Sequence, residues 1–318
     1  MRFVFVMDTL DRVDPEKDTT FAFIEAAQAR GHESLHCGPA DLGIREGKTI
    51  ARVRGVSIHP AAPWIKLDGS PREVVLAETD AVFIRKDPPF DRAYLYLTLL
   101  LEHARGGPPG SASPIIVNDP RGLRDANEKL YAMNFSQFTP TTIVTSDRDT
   151  ILSFMNEKKR AVIKPLDGAG GAGVLMLNEG DKNARAIVDI TTHEGKRLAM
   201  VQEFLPAVTA GDKRILLLDG EPLGAINRVP RGDDLRSNIH VGGSVEPISI
   251  TPREHEMIKA ISPRLRADGL IFVGLDVIGE RLTEVNVTSP TGIQELGRHT
   301  GTKPSDKVIA WVEQKRRG

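Results

Sequence analysis

The stretch Gly274-Leu-Asp-Val-Ile-Gly-Glu-Arg-Leu-Thr-Glu-Val-Asn-Val287 decides how the C-terminal part of this chain folds. Two apolar runs flank the tight turn Gly279-Glu-Arg281, which is typical of a β-hairpin. If the turn is symmetric about its middle residue, Asp276 faces Glu284, and the strand period of two puts Asn286 on the same face. The side chains predicted to face the core are Leu275, Val277, Val285 and Val287.

Two carboxylates that face each other across a hairpin repel, so this pair requires a compensating cation. Two carboxylates and an amide oxygen suit Mg²⁺ or Mn²⁺, which take oxygen ligands and leave positions open for phosphates. The sequence therefore predicts a metal site at Asp276, Glu284 and Asn286. The alternative is a solvated hairpin face that happens to be acidic.

Composition limits the classes of partner. The chain has 318 residues, which exceeds one typical core, so we expect two or three subdomains. Its 42 basic and 43 acidic residues give a net charge of −1, which offers no general attraction to nucleic acid or an anionic membrane. The single cysteine, Cys37, excludes an internal disulfide and fits a reducing compartment. We expect a soluble cytoplasmic protein, because no apolar stretch reaches the length of a membrane span.

The N-terminal part alternates between predicted strands and helices, and this order predicts a parallel sheet. The predicted strands are 2–7, 81–84 and 114–117, and the predicted helices are 19–30, 93–103 and 123–135. From residue 143 onward the pattern changes to short β-rich segments with one helix near 184–191. We place a domain boundary near residue 122.

Glycines dominate the segment Gly168-Ala-Gly170-Gly171-Ala-Gly173, which is a literal G-x-G-x-x-G. A dinucleotide-binding fingerprint requires a helix directly afterwards, whereas the next residues, 174–177, are predicted to form a strand. A glycine loop between two strands lets backbone amides approach phosphate oxygens. We therefore interpret the loop as a phosphate lid, with Lys164 at its base. A nicotinamide-dependent dehydrogenase is the alternative that the literal motif favours.

Several other segments are candidates for substrate contacts. Residues 202–205 end an apolar strand whose edge can meet a planar base or simply belong to a core. Arg214, Arg228 and Arg236 can bind carboxylates in bidentate fashion. For any one of these arginines a solvated surface is the better interpretation, whereas for the group beside a metal site a functional role is. Cys37 has no evident general-base partner, so we predict that it is a packing residue.

Longer strings give a resemblance to a known family. The chain resembles the ATP-grasp superfamily and, within it, the bacterial glutathione synthetase family, over nearly its whole length. The strings that carry the resemblance are Arg85-Lys-Asp-Pro-Pro-Phe-Asp91, Leu123-Arg-Asp-Ala-Asn-Glu-Lys129, Lys164-Pro-Leu-Asp-Gly168, Gly211-Asp-Lys-Arg214, Gly269-Leu-Ile-Phe-Val-Gly-Leu-Asp276 and Leu282-Thr-Glu-Val-Asn-Val-Thr-Ser-Pro-Thr291.

The resemblance implies an α/β protein with the ATP-grasp fold, in which a Rossmann-like N-terminal domain precedes two α+β subdomains that clasp ATP. The implied division is 1–122, 123–201 with the glycine lid, and 202–318 with the metal and substrate site. The implied nucleotide contacts are Lys129, Lys164, Gly168, Gly170, Gly171, Gly173, Gln202, Glu203, Phe204, Leu205 and Asp212. The implied substrate contacts are Arg214, Arg228, Arg236, Asn238, Ser289 and Thr291.

The resemblance also implies a reaction, the ATP-dependent ligation of γ-glutamylcysteine and glycine through an acyl phosphate. Asp276, Glu284 and Asn286 would then hold Mg²⁺, with Lys164 acting on the phosphates and Arg214 on the tetrahedral oxyanion. Residues 228–244 would close over the intermediate, and the protein would be a homo-oligomer, a dimer or tetramer. The alternatives are another carboxylate-amine ligase and a non-catalytic ATP-binding scaffold.

Overall fold

The computed structural model describes residues 1–105, 113–230 and 244–317 and contains three β-sheets. Arg236, Asn238, most of the predicted 228–244 lid and the loop from residue 106 to 112 lie outside the described residues. No helix in the described ranges combines the length and the apolar character that crossing a membrane requires.

The first sheet is built by the N-terminal part of the chain. Its strands are β1 (Arg2–Met7), β2 (Glu33–Cys37), β3 (Leu42–Arg45), β4 (Lys48–Ile58), β5 (Ile65–Val75), β6 (Ala81–Arg85) and β7 (Ile115–Val117). Its helices are α1 (Thr19–Ala29), α2 (Arg92–Glu102) and α3 (Pro120–Asp125). Strands β2, β1, β6 and β7 are parallel, as predicted, whereas β3, β4 and β5 extend the sheet in antiparallel fashion.

The second sheet is antiparallel and has the order β10-β9-β11-β8. Its strands are β8 (Thr142–Thr145), β9 (Arg160–Pro165), β10 (Leu175–Asn178) and β11 (Ala199–Glu203), and its helices are α4 (Arg148–Lys158) and α5 (Ala184–Thr192). The glycine loop connects two antiparallel strands, β9 and β10, as predicted. The prediction of one helix from residue 143 onward was wrong. Helix α4 also forms, with its N-terminus capped by the Asp147 side chain, and three more helices follow residue 251 among the described residues.

The third sheet is also antiparallel, in the order β14-β13-β12-β15-β16. Its strands are β12 (Asp212–Leu218), β13 (Glu221–Val229), β14 (Ser244–Pro247), β15 (Phe272–Ile278) and β16 (Arg281–Asn286). Its helices are α6 (Pro252–Ala267), α7 (Ile293–Thr300) and α8 (Pro304–Arg317). Helices α7 and α8 return to the N-terminal domain and pack against α1.

Apolar packing divides the molecule differently from the sheets. Two hydrophobic clusters each combine residues of the first sheet with residues of the third, for example Val4 with Val273 and Phe23 with Phe272. The second sheet has a cluster of its own, which includes Ile163 and Val201. The buried Asn118 side chain also joins the N-terminal domain to the third sheet. Its amide nitrogen donates to the carbonyl of Phe272, and its amide oxygen accepts from the Phe272 backbone N–H.

The predicted helix at 123–135 was wrong. Helix α3 ends at Asp125, and only a short 3₁₀ turn follows at Tyr131–Phe135. The Asn127 side chain accepts from the amides of Lys129 and Leu130, which offers this backbone an alternative to a helix. The carbonyl of Glu128 accepts from the amide of Val285 in β16, which ties the turn at 128–130 to the C-terminal hairpin.

The domain boundaries remain proposals. The division at 201/202 falls inside β11, which bonds only within the second sheet, and the division at 122/123 falls inside α3. We therefore propose that the second sheet's subdomain ends after Glu203 and that the third begins with β12.

Cys37 lies in the first core with no exposed surface, as its predicted packing role requires. Burial raises the pKa of its thiol to about 12. Since the thiolate is the reactive form, we expect the native protein at pH 8 to react with a thiol reagent at under about a hundredth of the rate of the urea-unfolded chain. The native rate should rise with pH. Rapid labelling of the native protein, followed by absorbance, would contradict this packing role.

Candidate active site

The C-terminal hairpin pairs Asp276 with Glu284, as predicted, although the turn is not symmetric about Glu280. Val277 pairs with Leu282 and Ile278 with Arg281, which leaves a two-residue turn. A bulge then shifts the register by one residue and brings the two carboxylates into line. Asn286 lies two residues further, opposite Gly274. Three of the four predicted core residues, Leu275, Val285 and Val287, have no exposed surface, and Val277 is 2% exposed.

Two arginines pair with Asp276. Arg214 is its cross-strand neighbour on β12 and forms a bidentate pair with it, with N–O distances of 2.5 and 3.0 Å. Arg228 lies 3.0 Å from the second oxygen of Asp276 and 2.5 Å from Asp212. Guanidinium groups therefore supply positive charge beside Asp276, and the predicted metal site stays a prediction.

Glu284 lies between two lysines. Its Oε1 is 3.5 Å from Nζ of Lys164 and 3.7 Å from Nζ of Lys129. Lys164 comes from β9 of the second sheet, and Lys129 from the segment after α3, where it donates to the carbonyl of Gly168. The hairpin thus meets the base of the glycine loop at a cluster of opposite charges.

Burial and neighbouring charges shift the protonation equilibria in this cluster. Burial raises the pKa of Asp212 to about 6. Burial also opposes ionisation of Asp276, but Arg214 and Arg228 outweigh it and hold the pKa of Asp276 below its usual range. Burial lowers the pKa of Lys164, with Glu284 opposing the shift. Although burial disfavours its charge, Asp212 and Asp276 hold the pKa of Arg228 above its usual range.

The glycine loop borders a large cavity next to this cluster. Gly168, Gly170 and Gly171 line it, whereas Gly173 does not. Gly173 has a φ of +74°, and a Cβ there would lie 3.0 Å from Pro165. Its glycine is therefore explained by the local turn.

The segment predicted to meet the adenine also lines the cavity, from Gln202 to Leu205. Two of its amides are already used, because Glu203 donates to the carbonyl of Thr141 and Phe204 to that of Arg160. The guanidinium of Arg160 also stacks on the Phe204 ring, 3.8 Å from its centroid. These two amides therefore already have acceptors in the protein and are not open donors on the cavity wall.

The cavity has a volume of about 1070 Å³ and extends well beyond the residues that we predicted. The predicted residues on its wall are Lys164, Gly168, Gly170, Gly171, Gln202, Glu203, Phe204, Leu205, Asp212, Arg214, Arg228, Asp276, Glu284, Asn286, Ser289 and Thr291. Lys129 reaches the charge cluster without lining the cavity. The sequence reasoning missed a group from the N-terminal domain and α7: Arg12, Asp14, Lys17, Asp18, Thr19, Arg85, Asp87 and Glu295. The string Arg85-Lys-Asp-Pro-Pro-Phe-Asp91 was the sequence signal that could have placed Arg85 and Asp87 at this cavity.

The hairpin residues fit a hard cation in part. The described residues contain no group of three His, Cys, Asp or Glu side chains arranged to hold a metal, so any site here depends on Asn286. Glu284 and Asn286 both line the cavity, and the Asn286 side-chain nitrogen donates a long bond to the carbonyl of Gly274, at 3.4 Å. Both oxygens of Asp276 accept from guanidiniums, which makes Asp276 the least available of the three.

Gly274 offers a way to move Arg214 without changing its charge. A Cβ at Gly274 would lie 2.9 Å from Cδ of Arg214 and 3.2 Å from its Nε. For the role on the oxyanion that the resemblance implies for Arg214, we expect Gly274→Ala to displace the guanidinium and lower kcat about 10- to 100-fold, because a correctly placed donor contributes that much to catalysis. The matched control is Gly43→Ala, whose nearest neighbour lies at 3.8 Å. An unchanged kcat in Gly274→Ala would show that the exact position of Arg214 is unimportant.

Comparison with known proteins identifies the family. The model for the N-terminal domain of prokaryotic glutathione synthetase matches residues 1–124, and that for its ATP-grasp domain matches residues 128–301. The chain is 45% identical to the glutathione synthetase of Synechocystis sp. over 324 residues, covering 99% of both chains. It is 42% identical to that of Salmonella typhimurium over 293 residues, covering 92% of this chain and 91% of the relative.

Solved structures agree at the level of the fold. The D-cycloserine synthetase DcsG superposes with a TM-score of 0.67 at 14% identity, covering 99% of both chains. The ATP-grasp ligase PsnB, complexed with a precursor peptide and AMPPNP, superposes with a TM-score of 0.63 at 16% identity, covering 100% of this chain and 98% of that one. The protein therefore has the ATP-grasp fold, and the chain belongs to the prokaryotic glutathione synthetase family.

Proposed function

We propose that the protein joins the cysteine carboxylate of γ-glutamylcysteine to the amine of glycine and cleaves ATP to ADP and phosphate. This proposal depends on one observation, that side chains from two different sheets line the same cavity. They are Lys164 of the second sheet and Arg214, Arg228 and Glu284 of the third. A cavity lined by both lysine and arginine side chains suits a polyphosphate and a carboxylate held side by side. The full-length match to glutathione synthetases supports the choice of substrates.

The first step brings one anion against another. The cysteine carboxylate attacks the γ-phosphate of ATP, ADP leaves, and an acyl phosphate forms. Lys164 and Lys129 lower the barrier by neutralising the phosphate oxygens. Their Nζ atoms lie 3.5 and 3.7 Å from Oε1 of Glu284. The Gly168–Gly173 loop excludes water from the phosphates, which protects an intermediate that water would hydrolyse.

The second step places negative charge on the former carboxylate oxygen when the glycine amine attacks. We propose Arg214 as the group that stabilises this oxyanion, and Arg228 as its neighbour that binds the departing phosphate. Asp276 holds Arg214 at two points, which fixes the direction of the fork before substrate binds.

A divalent cation supplies Lewis-acid neutralisation of the phosphates when it is bound. We propose that Glu284 and Asn286 hold it and that Asp276 acts mainly through the arginines. Mg²⁺ and Mn²⁺ both suit these oxygen donors.

One assay tests the proposed function. The protein is mixed with ATP, Mg²⁺, γ-glutamylcysteine and single amino acids, and the products are identified by mass. We expect glutathione, ADP and phosphate in equal amounts, with ADP formed only when both substrates are present. Ligation of a different acceptor would indicate another carboxylate-amine ligase, and nucleotide binding without turnover would indicate a scaffold.

We also propose that the protein works in the cytoplasm as a homo-oligomer, a dimer or a tetramer. The only cysteine, Cys37, is fully buried, which fits a protein that does not depend on disulfides.

Light scattering on the purified protein would give the number of subunits, and a monomer at micromolar concentration would reject the oligomer.

A further inference from the structure

The segment Asn127-Glu128-Lys129, here called the bridge segment, lies between the two halves of the charge cluster. It follows α3, and its side chains contact two different parts of the molecule. Asn127 and Lys129 donate to the connection from β9 into the glycine loop, whereas Glu128 contacts the end of the C-terminal hairpin. The proposed chemistry uses Lys129 and gives no role to Glu128, although Glu128 lines the cavity.

Glu128 holds the hairpin at the point where β16 ends. Its backbone carbonyl accepts from the amide of Val285 at 2.9 Å. Its Oε1 accepts from the amides of Val287 and Thr288, at 2.9 and 3.0 Å, and from the Thr288 hydroxyl, at 2.9 Å. Strand β16 forms the edge of the third sheet, so the oxygens of Glu128 satisfy amides along an edge that a further strand would otherwise pair.

These bonds flank the hairpin residues that the proposed chemistry needs. Val285 lies between Glu284 and Asn286, and Val287 follows directly, so Glu128 bonds the backbone on both sides of Asn286. Both valines have no exposed surface, which fixes their side chains in the core. The directions of the Glu284 and Asn286 side chains are therefore set by a backbone that Glu128 holds, since neighbouring side chains of a strand point to opposite faces.

The other two residues of the bridge segment bond in the direction of the glycine loop. Nδ2 of Asn127 donates to the carbonyl of Leu166 at 3.0 Å, and Nζ of Lys129 donates to that of Gly168. The same Nζ lies 3.7 Å from Oε1 of Glu284. A displacement of the bridge segment would thus move the lysine relative to the glycine loop and to the hairpin at once.

We propose that Glu128 is a positioning residue of the phosphate site. It holds Lys129 at a fixed distance from Glu284 and fixes the backbone beside Asn286, so that the phosphates meet groups that are already in place. In this role it acts through its bonds to the backbone and does not touch the reacting atoms. The inference rests on the proposed function and adds a residue to it. A misplacement of about 1 Å can lower a rate about 100-fold, which makes such a residue important.

Two substitutions of Glu128 separate a positioning role from a role of its charge. All three side-chain bonds meet the single atom Oε1, and the carbonyl oxygen of a glutamine can take the same position. We expect Glu128→Gln to keep kcat, and the Kd for the non-hydrolysable ATP analogue AMPPNP, within about 3-fold of wild type, because neutral acceptors form weaker bonds of the same geometry. Glu128→Asp keeps the charge and is one methylene too short.

For Glu128→Asp we expect kcat for glutathione formation to fall about 10- to 100-fold, because the hairpin and Lys129 lose their fixed spacing. The Kd for AMPPNP, measured by calorimetry in the presence of Mg²⁺, should rise about 10-fold, which corresponds to one weakened phosphate contact. The KM for γ-glutamylcysteine should stay constant. A group that acted through its charge would give the reverse order, with the aspartate variant more active than the glutamine variant.

Hydrogen exchange reports on the hairpin directly. The amides of Val287 and Thr288 are protected by their bonds to Glu128, so the peptide that contains them should lose protection in Glu128→Asp and keep it in Glu128→Gln. Mass spectrometry of the native proteins after timed exchange measures this difference. Unchanged protection in Glu128→Asp would contradict the proposed positioning.

Asp147→Ala is the matched control for loss of a carboxylate that accepts from a backbone amide. Asp147 caps α4 through a bond of 2.8 Å from the amide of Thr150, away from the cavity wall. We expect this control to lower the Tm and to leave kcat and the Kd for AMPPNP unchanged. If Glu128→Asp behaved like the control, with only its Tm lowered, Glu128 would be purely structural and the inference would be wrong.

The outcomes separate the inference from the proposed function. AMPPNP binding requires no turnover, so a wild-type protein that binds AMPPNP and makes no glutathione would defeat the proposed function and leave the binding test of Glu128 in force. An inactive Glu128→Gln beside an active Glu128→Asp would assign a role to the charge and overturn the inference. A change confined to the KM for γ-glutamylcysteine would make Glu128 a substrate contact and overturn it as well.

Discussion

Glu284→Gln is expected to lower kcat for glutathione formation by about 100-fold or more, with little change in the fold. The glutamine keeps the size of the side chain and removes the charge that faces Lys164 and Lys129 at 3.5 and 3.7 Å. In our proposal the same carboxylate also holds the cation on the phosphates, so its charge contributes to transition-state stabilisation, for which losses of this size are typical.

The measurement is initial-rate phosphate release with γ-glutamylcysteine and glycine, together with circular dichroism and Tm as checks on the fold. Glu221→Gln is the matched control, because Glu221 begins β13 of the same sheet and its side chain is 77% exposed in a surface pair with Arg266. Surface pairs of that kind contribute little. Undiminished phosphate release in Glu284→Gln would overturn the assignment of Glu284 to the reacting centre.

Arg214→Ala is expected to lower kcat about 100- to 1000-fold and to change the affinity for ATP far less. The reason is that negative charge appears beside this guanidinium only when the acyl phosphate is attacked. The structure adds a second effect, since Asp276 loses its bidentate partner and keeps Arg228 at 3.0 Å. Removing one member of a buried pair is costly, so we also expect a lower Tm.

Arg214→Lys tells these two effects apart. A lysine keeps one positive charge against Asp276 and loses the planar fork that reaches both of its oxygens. We therefore expect the lysine variant to recover part of the Tm and little of the kcat. Arg281→Ala, at the exposed end of the same hairpin, is the control for loss of an arginine. A defect confined to ATP affinity, measured by equilibrium binding, would move Arg214 out of the acyl site.

The sequence predicted the parts of the site that lie close together along the chain. The alternation of the hairpin was enough to pair Asp276 with Glu284, although the turn was wrong by one residue, because the bulge compensated for the error. The glycine loop was predicted from the strands that flank it. Local periodicity carries information of this kind, since it depends only on neighbouring residues.

The rest depends on contacts between distant segments. The pairing of β12 with β15 puts Arg214 beside Asp276, and nothing near either residue specifies that neighbour. Thr19, Arg85 and Glu295 meet only because α1, β6 and α7 converge on one cavity. The helix predicted at 123–135 failed for the same reason, since the carbonyl of Glu128 bonds to β16, more than 150 residues away. Tertiary contacts of this kind override local propensity.

The separate core of the second sheet has a consequence for how the protein unfolds. The first and third sheets share their apolar contacts and should lose them together, whereas β8–β11 hold a cluster of their own. We therefore expect two cooperative units in unfolding, of which the smaller carries the glycine loop. A nucleotide that binds Lys164 on one unit and Glu284 on the other therefore couples the opening of the two units more tightly than the ion pair between these two side chains does alone.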